Sequence, residues 1–363
     1  MSSTSPDFDV AILGAGFAGA ATAWALARRA PGLRIALLEQ APELGQFASG
    51  RSAGMGRQLA EDDETTALTV DGAAALRRHG TGAFWHEHGG VLTFDDDAHL
   101  RRTVQRAAAF QLPCRALAAA ELAALGVHAA HGLWVPSDGL IEVLPLLRWL
   151  VTEAQQRGAQ LLLDTAVTAL EEQDGGARLH TSRGALRSRL LVEATGAWAG
   201  QLTGRSFTAL RRHVYAVPGP RAAPAPRPAE PTALSARGPF VWHLGSTEVY
   251  LRPRADDSWL VSPCDERPGA PGDQRLDADA EPELTRRLRD FAPGWAGGDE
   301  GPALLQRWSC QRTFSPTRRM VLERDAQRPY LFWAAGLGGH GATAACAVGE
   351  RVAAQVAAAL QQR

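Results

Sequence analysis

Short apolar runs that end in glycine-rich turns recur along the chain. Near the N-terminus, an apolar run at residues 10–13 precedes a glycine cluster and an alanine-rich stretch at residues 20–30, and a second apolar run occupies residues 33–38. Such runs are typical of buried parallel strands, and the longer stretch between them is typical of a helix. The pattern therefore predicts a strand–helix–strand unit.

Two later segments repeat this arrangement. Residues 190–198 predict a buried strand that enters a small-residue turn, and residues 330–335 predict a strand that runs through glycines into a helix over residues 342–361. Residues 144–157 have helical periodicity, and a proline-rich stretch at residues 218–231 predicts a surface loop. Further strands are predicted at residues 91–94, 160–163, 213–217, 240–244, 249–251 and 259–262. We therefore expect an α/β fold with a second, β-rich block.

The first glycine cluster has the spacing of a dinucleotide-binding turn. Gly14, Gly16 and Gly19 lie between the first strand and the helix, and Glu39 ends the next strand 20 residues after the third glycine. Gly14 permits the sharp turn, Gly16 lets the backbone approach a pyrophosphate, and Gly19 allows helix and strand to pack closely. The Glu39 carboxylate would accept hydrogen bonds from ribose hydroxyls. Three separated glycine turns around one long ligand favour FAD over NAD.

Composition and charge narrow the class of protein. The 363 residues are 45% hydrophobic and 21% charged, with a net charge of −1, which suits two interleaved globular domains and gives no argument for nucleic acid or a membrane surface. The polar start at residues 1–9 lacks a signal-peptide pattern, and no apolar run approaches the roughly 18 residues of a membrane span. The four cysteines have no metal-ligand spacing. We expect a reduced, cytoplasmic protein without a bound metal.

The chain contains no lysine, so all 38 basic residues are arginine. Chemistry that needs a Schiff-base lysine is therefore excluded.

In their order, the motifs resemble those of the D-amino-acid oxidase superfamily of FAD-dependent amine oxidoreductases, which includes glycine oxidase, monomeric sarcosine oxidase and D-arginine dehydrogenase. They are GAGFAGA at residues 14–20, SGRSAG at 49–54, Asp138-Gly139, VEATGAW at 192–198, Arg312 and GLGGHGATAA at 336–345. The resemblance implies a Rossmann-like FAD-binding domain over residues 1–75, 136–205 and 305–363. A β-rich α+β substrate domain would be interleaved with it, over residues 76–135 and 206–304.

The resemblance also implies which residues contact FAD. They lie in the glycine turns, in the segment after the second strand and in the loop before residue 168, where backbone groups would face adenine. The expected residues are Gly14, Gly16, Phe17, Ala18, Gly19, Glu39, Gln40, Ser49, Arg51, Ser52, Ala53, Gly54, Val167, Ala194, Thr195, Gly196, Trp198, Gly336, Gly338, Gly339, His340, Gly341, Ala342 and Thr343.

For the substrate, Arg312 matches the family's carboxylate-binding arginine, and a guanidinium fork suits a carboxylate. Tyr250 matches a tyrosine near that carboxylate, and the alternative is a core tyrosine. Arg212 matches a second arginine of the family. His340 either lines the flavin edge or only satisfies backbone groups in its glycine turn. Thr343 stands where sarcosine oxidase has a carboxylate-binding lysine, which shifts that task to Arg312.

Two further features allow alternative readings. Cys310 aligns with the cysteine that is covalently linked to flavin in sarcosine oxidase, but ordinary packing of a buried thiol is favoured. The acidic run at residues 61–64 is either a solvated surface or the mouth of a site for a cationic substrate, and the surface reading is favoured.

The resemblance implies an oxidative deamination. Hydride passes from the α-carbon of an amino acid, of D configuration or N-substituted, to flavin N5, and the imine hydrolyses to a keto acid. The electron acceptor would be a quinone, an electron-transfer protein or O2, and the lack of lysine favours a dehydrogenase. Two alternatives stay open. One is a 2-hydroxy acid oxidoreductase that uses His340 or His243 as its base, and the other is an accessory flavoprotein subunit of a larger dehydrogenase.

Overall fold

The computed structural model describes residues 6–79, 83–220 and 238–362. The helices are α1 (Phe17–Arg29), α2 (Asp63–His79), α3 (Asp97–Ala109), α4 (Ala119–Ala124), α5 (Val143–Gln156), α6 (Ala280–Phe291) and α7 (Gly341–Gln361). The strands are β1 (Phe8–Leu13), β2 (Ile35–Leu38), β3 (Met55–Gly56), β4 (Trp85–Glu87), β5 (Gly90–Phe94), β6 (Arg115–Leu117), β7 (His131–Val135), β8 (Gly139–Ile141), β9 (Gln160–Leu162), β10 (Val167–Gln173), β11 (Gly176–Thr181), β12 (Gly184–Glu193), β13 (Thr208–Pro218), β14 (Phe240–His243), β15 (Val249–Pro253), β16 (Ser258–Ser262), β17 (Arg267–Pro268), β18 (Gln306–Phe314) and β19 (Leu331–Trp333).

A mostly parallel sheet forms the first half of the fold. Strands β9, β2, β1, β12 and β19 pair in parallel, and the antiparallel hairpin β10–β11 extends the sheet from the first half of β12. The apolar residues of β1, β2 and β19 and of the second half of β12 are buried on both faces, as expected for parallel strands covered by helices. The α/β fold class with a Rossmann-like unit is thus confirmed.

Helix α1 is apolar and buried around most of its circumference, as the alanine-rich N-terminal stretch predicts. It is alanine-rich, its residues from Phe17 to Ala27 are buried, and Arg28 and Arg29 complement the negative end of the helix dipole in its last turn. It packs against α5 and α7, and α7 also packs against α2. A helix that is apolar around its whole circumference must be covered on every side, which these neighbours achieve.

A larger, mixed sheet forms the second half. Its order is β17-β13-β16-β15-β14-β5-β7-β6, with β18 antiparallel to β13, and only β14 and β5 among its pairs run in parallel within the described residues. A small antiparallel sheet pairs β8 with β3, both from the predicted FAD-binding domain, and with β4 from the predicted substrate domain. Helix α6 was not among the elements predicted for the β-rich block. It forms because its buried Leu284, Leu288 and Phe291 follow helical spacing.

The predicted strands of the β-rich block are confirmed, with β13 and β15 extending beyond their predicted bounds. Most of the predicted proline-rich loop, residues 221–231, lies outside the described residues. The predicted domain bounds stay a prediction.

Candidate functional site

The turn between β1 and α1 is built so that only glycines fit. Gly14 has φ +93°, and a Cβ there would lie 2.5 Å from the carbonyl oxygen of Ala194. A Cβ on Gly19 would lie 1.9 Å from the carbonyl oxygen of Gly14. The turn is therefore pressed against the end of β12 on one side and against its own helix on the other. A side chain is excluded at Gly14 by its positive φ and by close backbone, and at Gly19 by close backbone alone.

Polar groups surround this turn from other segments. Ser49 Oγ accepts a hydrogen bond from the N–H of Phe17 at the start of α1, over 3.0 Å. The Glu39 carboxylate accepts the N–H groups of Ala15 and Ala41, each over 3.0 Å. These bonds hold Ser49 and Glu39 at the positive end of the α1 dipole, where anions are stabilised.

Three adjoining cavities extend from this turn. The cofactor groove, about 160 Å³, contains Gly14, Glu39, Gln40 and Val167. The inner cavity, about 140 Å³, shares Gly16, Ser49 and Cys310 with the groove. The outer cavity, about 820 Å³, shares Arg212, Trp242, Arg312 and residues 336–339 with the inner one. Together they form a path that suits one long ligand and a smaller molecule beside its inner end.

Most of the residues expected to bind a cofactor lie on this path. Gly19 and Thr343 do not line it: Gly19 packs within the turn, and Thr343 is buried, with its hydroxyl 3.4 Å from the carbonyl oxygen of Met55. The residues that line at least one cavity are Gly14, Gly16, Phe17, Ala18, Glu39, Gln40, Ser49, Arg51, Ser52, Ala53, Gly54, Val167, Ala194, Thr195, Gly196, Trp198, Gly336, Gly338, Gly339, His340, Gly341 and Ala342. Glycines from three separate turns line this cradle, so the backbone can approach a dinucleotide closely, and the cradle fits such a ligand.

Arg312, on β18, lies where the inner and outer cavities meet. It has no hydrogen bond or ion pair with any residue that the structure describes, and its Cζ is 5.7 Å from the centre of the Trp242 ring. A Cβ on Gly339 would lie 2.9 Å from Arg312 Nη1, so the glycine turn before α7 lies directly against the guanidinium. Burial lowers the pKa of Arg312 from its ordinary value, and the charge of Arg212 lowers it further. An unpaired, partly desolvated guanidinium is a strong site for an anion.

Arg212 and Tyr250 also face these cavities. Tyr250 is 1% exposed, and burial raises its pKa. Arg212 is 2% exposed; its Nη2 lies 3.4 Å from Glu248 Oε2 and 3.6 Å from Glu266 Oε1. Arg212 thus has counterions only at one end of its fork among the described residues.

His340 forms a polar cluster with residues that precede α2. Its Nε2 lies 2.8 Å from Glu61 Oε2 and 3.2 Å from Arg57 Nη2, and Arg57 also forms a short ion pair with Glu61. Burial alone would raise the pKa of the Glu61 carboxyl, but the charges of Arg57 and His340 outweigh it and hold that pKa well below its ordinary value. His340 contacts the outer cavity through this cluster.

The acidic run at residues 61–64 divides between surface and site. Asp62 accepts hydrogen bonds from Thr65 N–H and Oγ, while Asp63 pairs with Arg106 and Glu64 with Arg351. Glu61 and Asp62 line the outer cavity. Asp63 and Glu64 are thus paired outside the cavities, and a role of Glu61 and Asp62 towards a cationic substrate stays a prediction.

Comparison with known proteins decides the family. A family model described as FAD dependent oxidoreductase matches residues 9–355, nearly the whole chain. The chain belongs to this family of FAD-dependent oxidoreductases. Its cofactor is FAD, as the glycine turns predicted.

The relatives that this oxidoreductase matches in sequence include proteins with different activities in their names. It is 27% identical to glycine oxidase of Geobacillus kaustophilus over 91% of the chain and 87% of that protein. It is 30% identical to a tRNA 5-methylaminomethyl-2-thiouridine biosynthesis bifunctional protein of Marinobacter nauticus over 53% of the chain. That match spans only 32% of the bifunctional protein, and the match to its Shewanella amazonensis counterpart spans 30%.

Solved structures share the fold. L-proline dehydrogenase from P. horikoshii superposes with a TM-score of 0.82 at 18% identity, covering 96% of this chain and 93% of that one. Glycine oxidase from Geobacillus kaustophilus gives 0.79 at 23% identity, covering 98% and 95%.

Cys310 lines both the cofactor groove and the inner cavity of this oxidoreductase. Burial raises the pKa of its thiol. His243, by contrast, lines none of the three cavities; its Nδ1 lies 3.0 Å from Thr93 Oγ1 and its Nε2 lies 3.1 Å from Asp95 Oδ1.

Sequence reasoning missed Arg57 and Trp242. Arg57 is 2% exposed and stacks on the Trp242 ring, with its Cζ 4.3 Å from the ring centre. Neither residue belongs to a motif, and Arg57 is one arginine among many, so no local signal could have selected them. Within the described residues, no three His, Cys, Asp or Glu side chains are grouped to hold a metal ion. No helix there is both long and apolar enough to cross a bilayer.

Proposed function

We propose that this oxidoreductase oxidises the bond between the α-carbon and the nitrogen of an amino acid, of D configuration or N-substituted, to give an imine that hydrolyses to a keto acid. The observation that carries the proposal is Arg312, a partly buried guanidinium without a partner among the described residues, at the inner end of the cofactor path. The name of glycine oxidase, the relative matched over most of the chain, supports the same substrate class.

When bound, FAD supplies the oxidation by accepting hydride from the substrate α-carbon. The residues of the chain bind and orient the substrate. Arg312 receives the carboxylate in a charge-assisted, bidentate pair, which fixes the α-carbon relative to the groove. Trp242 and Tyr250 enclose this position and exclude water, which strengthens the ion pair.

The amine must reach the site uncharged, since a protonated amine has no lone pair to stabilise the cationic imine. That proton can pass to solvent, so no protein base is required. Oxidation of a 2-hydroxy acid is the weaker candidate, because it needs a base for the hydroxyl proton. Glu61 and Arg57 already engage the Nε2 of His340, and His243 lies outside the three cavities.

The test is anaerobic bleaching of the flavin by a panel of D- and L-amino acids, N-methyl amino acids, 2-hydroxy acids and the matching amines without a carboxylate. We expect amino acids to bleach the flavin and Arg312→Met to slow bleaching by about a hundredfold or more, because truncating one partner of a desolvated charge pair costs about 2–5 kcal/mol. FAD content should not change.

Arg307→Met is the matched control, since Arg307 lies on the same strand but is exposed and paired with Glu281. The assignment is wrong if Arg312→Met bleaches at the wild-type rate, or if the best substrate is an amine without a carboxylate. Bleaching by 2-hydroxy acids alone would move the proposal to that class. FAD that no substrate of the panel reduces would favour an accessory subunit.

A further inference from the structure

The outer cavity carries both signs of charge, and most of its negative charges are already paired. Among the described residues, the ion pairs are Glu61 with Arg57, Glu248 with Arg212, Asp265 with Arg267 over 3.1 Å, Glu266 with Arg318 over 2.6 Å, and Glu283 with Arg287 over 2.5 Å. Asp62 accepts hydrogen bonds from Thr65, and it has no ion pair in the described part of the chain. Arg312 and the exposed Arg319 also lack an ion pair there, so the balance of unpaired charge in the cavity is positive.

Buried donors without partners lie at the same place. Within the described residues, Nε and Nη1 of Arg212, Nε of Arg57 and Nε1 of Trp242 lack hydrogen-bond partners. All three side chains belong to residues that are nearly or fully buried and line the outer cavity. A buried donor without a partner is unfavourable, and more so when it is charged, so such a group in a cavity indicates a ligand acceptor.

Strand register places Arg212 beside Arg312. On the paired strands β13 and β18, Arg212 lies opposite Cys310, and Leu210 lies opposite Arg312. Side chains two residues apart on a strand share a face, so Arg212, Cys310 and Arg312 point to the same side as diagonal neighbours. The effect of Arg212 on the pKa of Arg312 is consistent with this proximity.

One carboxylate does not satisfy these donors. Its two oxygens match the two parallel N–H groups of a single guanidinium fork, here that of Arg312. The unpaired donors of Arg212 would then stay buried beside a second positive charge, which is unfavourable. A second anionic group on the same molecule would satisfy Arg212 and reduce the repulsion between the two guanidinia.

We infer that Arg212, with Trp242, forms a second anion subsite, and that the preferred substrate is an amino acid with two carboxylates. The second carboxylate is carried either by the side chain or by the nitrogen substituent. This inference rests on the proposed function for the position of the first carboxylate.

Matched substrate pairs test the inference on the FAD-loaded protein. D-alanine and D-aspartate differ by one carboxylate on the side chain, and N-methylglycine and iminodiacetate differ by one carboxylate on the nitrogen substituent. We expect the rate of flavin reduction at limiting substrate to favour the dicarboxylate by at least about tenfold in one pair. Arg212→Met should reduce this ratio towards one.

Arg211→Met is the matched control. Arg211 is the neighbour of Arg212 on β13, also 2% exposed, but it is paired with Asp273 and Asp277 and lines none of the three cavities. Its substitution should leave the ratio of dicarboxylate to monocarboxylate as in the wild type.

The outcomes separate the two proposals. If monocarboxylates reduce the flavin as fast as dicarboxylates in both pairs, or if Arg212→Met keeps the wild-type ratio, the subsite is wrong while the proposed function stands. If no amino acid reduces the flavin, the proposed function fails. In that case the oxidised, FAD-loaded protein is titrated with malonate and, separately, with acetate, and binding is followed by the change in flavin absorbance. Tighter binding of malonate is expected, and equal affinities for the two would overturn the subsite. If Arg212→Met does not fold, the wild-type ratios decide.

Discussion

Glu193 should make the stability of the protein depend on pH in a defined direction. It ends β12, between β1 and β19, and its side chain is fully buried. Its Oε1 accepts the N–H of Thr195 over 3.3 Å and a short hydrogen bond from the Thr195 hydroxyl, whereas Oε2 has no partner among the described residues. Burial raises the pKa of this carboxyl from 4.5 to about 7, because the hydrogen bonds from Thr195 do not compensate for the lost solvent.

The sign follows from proton binding. Between pH 4.5 and about 7, the folded protein keeps the Glu193 proton while the unfolded chain releases it. The stabilisation that the protonated Glu193 contributes is therefore greatest below the pKa that this carboxyl has in the unfolded chain. It is lost as the pH rises to the pKa that the carboxyl has in the folded protein. At about 1.4 kcal/mol for each pH unit, the difference between 4.5 and about 7 amounts to roughly 3 kcal/mol.

Glu193→Gln removes this dependence, because an amide keeps the shape and the acceptor for Thr195 but does not ionise. Urea unfolding of the FAD-loaded protein, with FAD in excess, should be followed from pH 5 to pH 8.5. The variant should gain on the order of 3 kcal/mol relative to the wild type across this range. Glu172→Gln, an exposed glutamate on β10 of the same sheet, should give a curve parallel to the wild type. Parallel curves for Glu193→Gln would refute the reasoning.

The remaining predictions concern the cofactor. Gly14→Ala should abolish FAD binding, measured as flavin absorbance per protein, because its Cβ would meet Ala194; Gly32→Ala, with φ +87° but no atom within 4 Å among the described residues, should keep FAD. FAD should be released by acid precipitation, because the raised pKa of Cys310 disfavours the reactive thiolate; colour that stays in the pellet and is lost in Cys310→Ala would contradict this. Reduced flavin should react slowly with O2 in stopped-flow mixing, since no lysine is available beside it; rapid peroxide formation would contradict this.

The cofactor half was predictable because its signals are local. The glycine turn, the strands around it and the acid at Glu39 lie within a short stretch of chain, and each has a conformation or contact that few residue types allow. The predicted strands at residues 10–13 and 33–38 correspond to β1 and β2 for the same reason. Thr343 shows that membership of a motif does not suffice to predict a contact, because its side chain lines none of the three cavities and its hydroxyl lies near Met55 instead.

The chain by itself determined the family, the cofactor and the alternation of apolar runs that builds the parallel sheet, because these depend on residue type at fixed spacing. The resemblance selected Arg312 and Arg212, but only the tertiary structure decided that they and Arg57 line the same outer cavity. Arg57, Arg212 and Arg312 come from segments far apart in sequence, and their neighbours determine whether each is paired or free. Because every basic residue of this chain other than histidine is arginine, residue type does not distinguish a paired arginine from an unpaired one. Burial and the positions of the acidic side chains make that distinction.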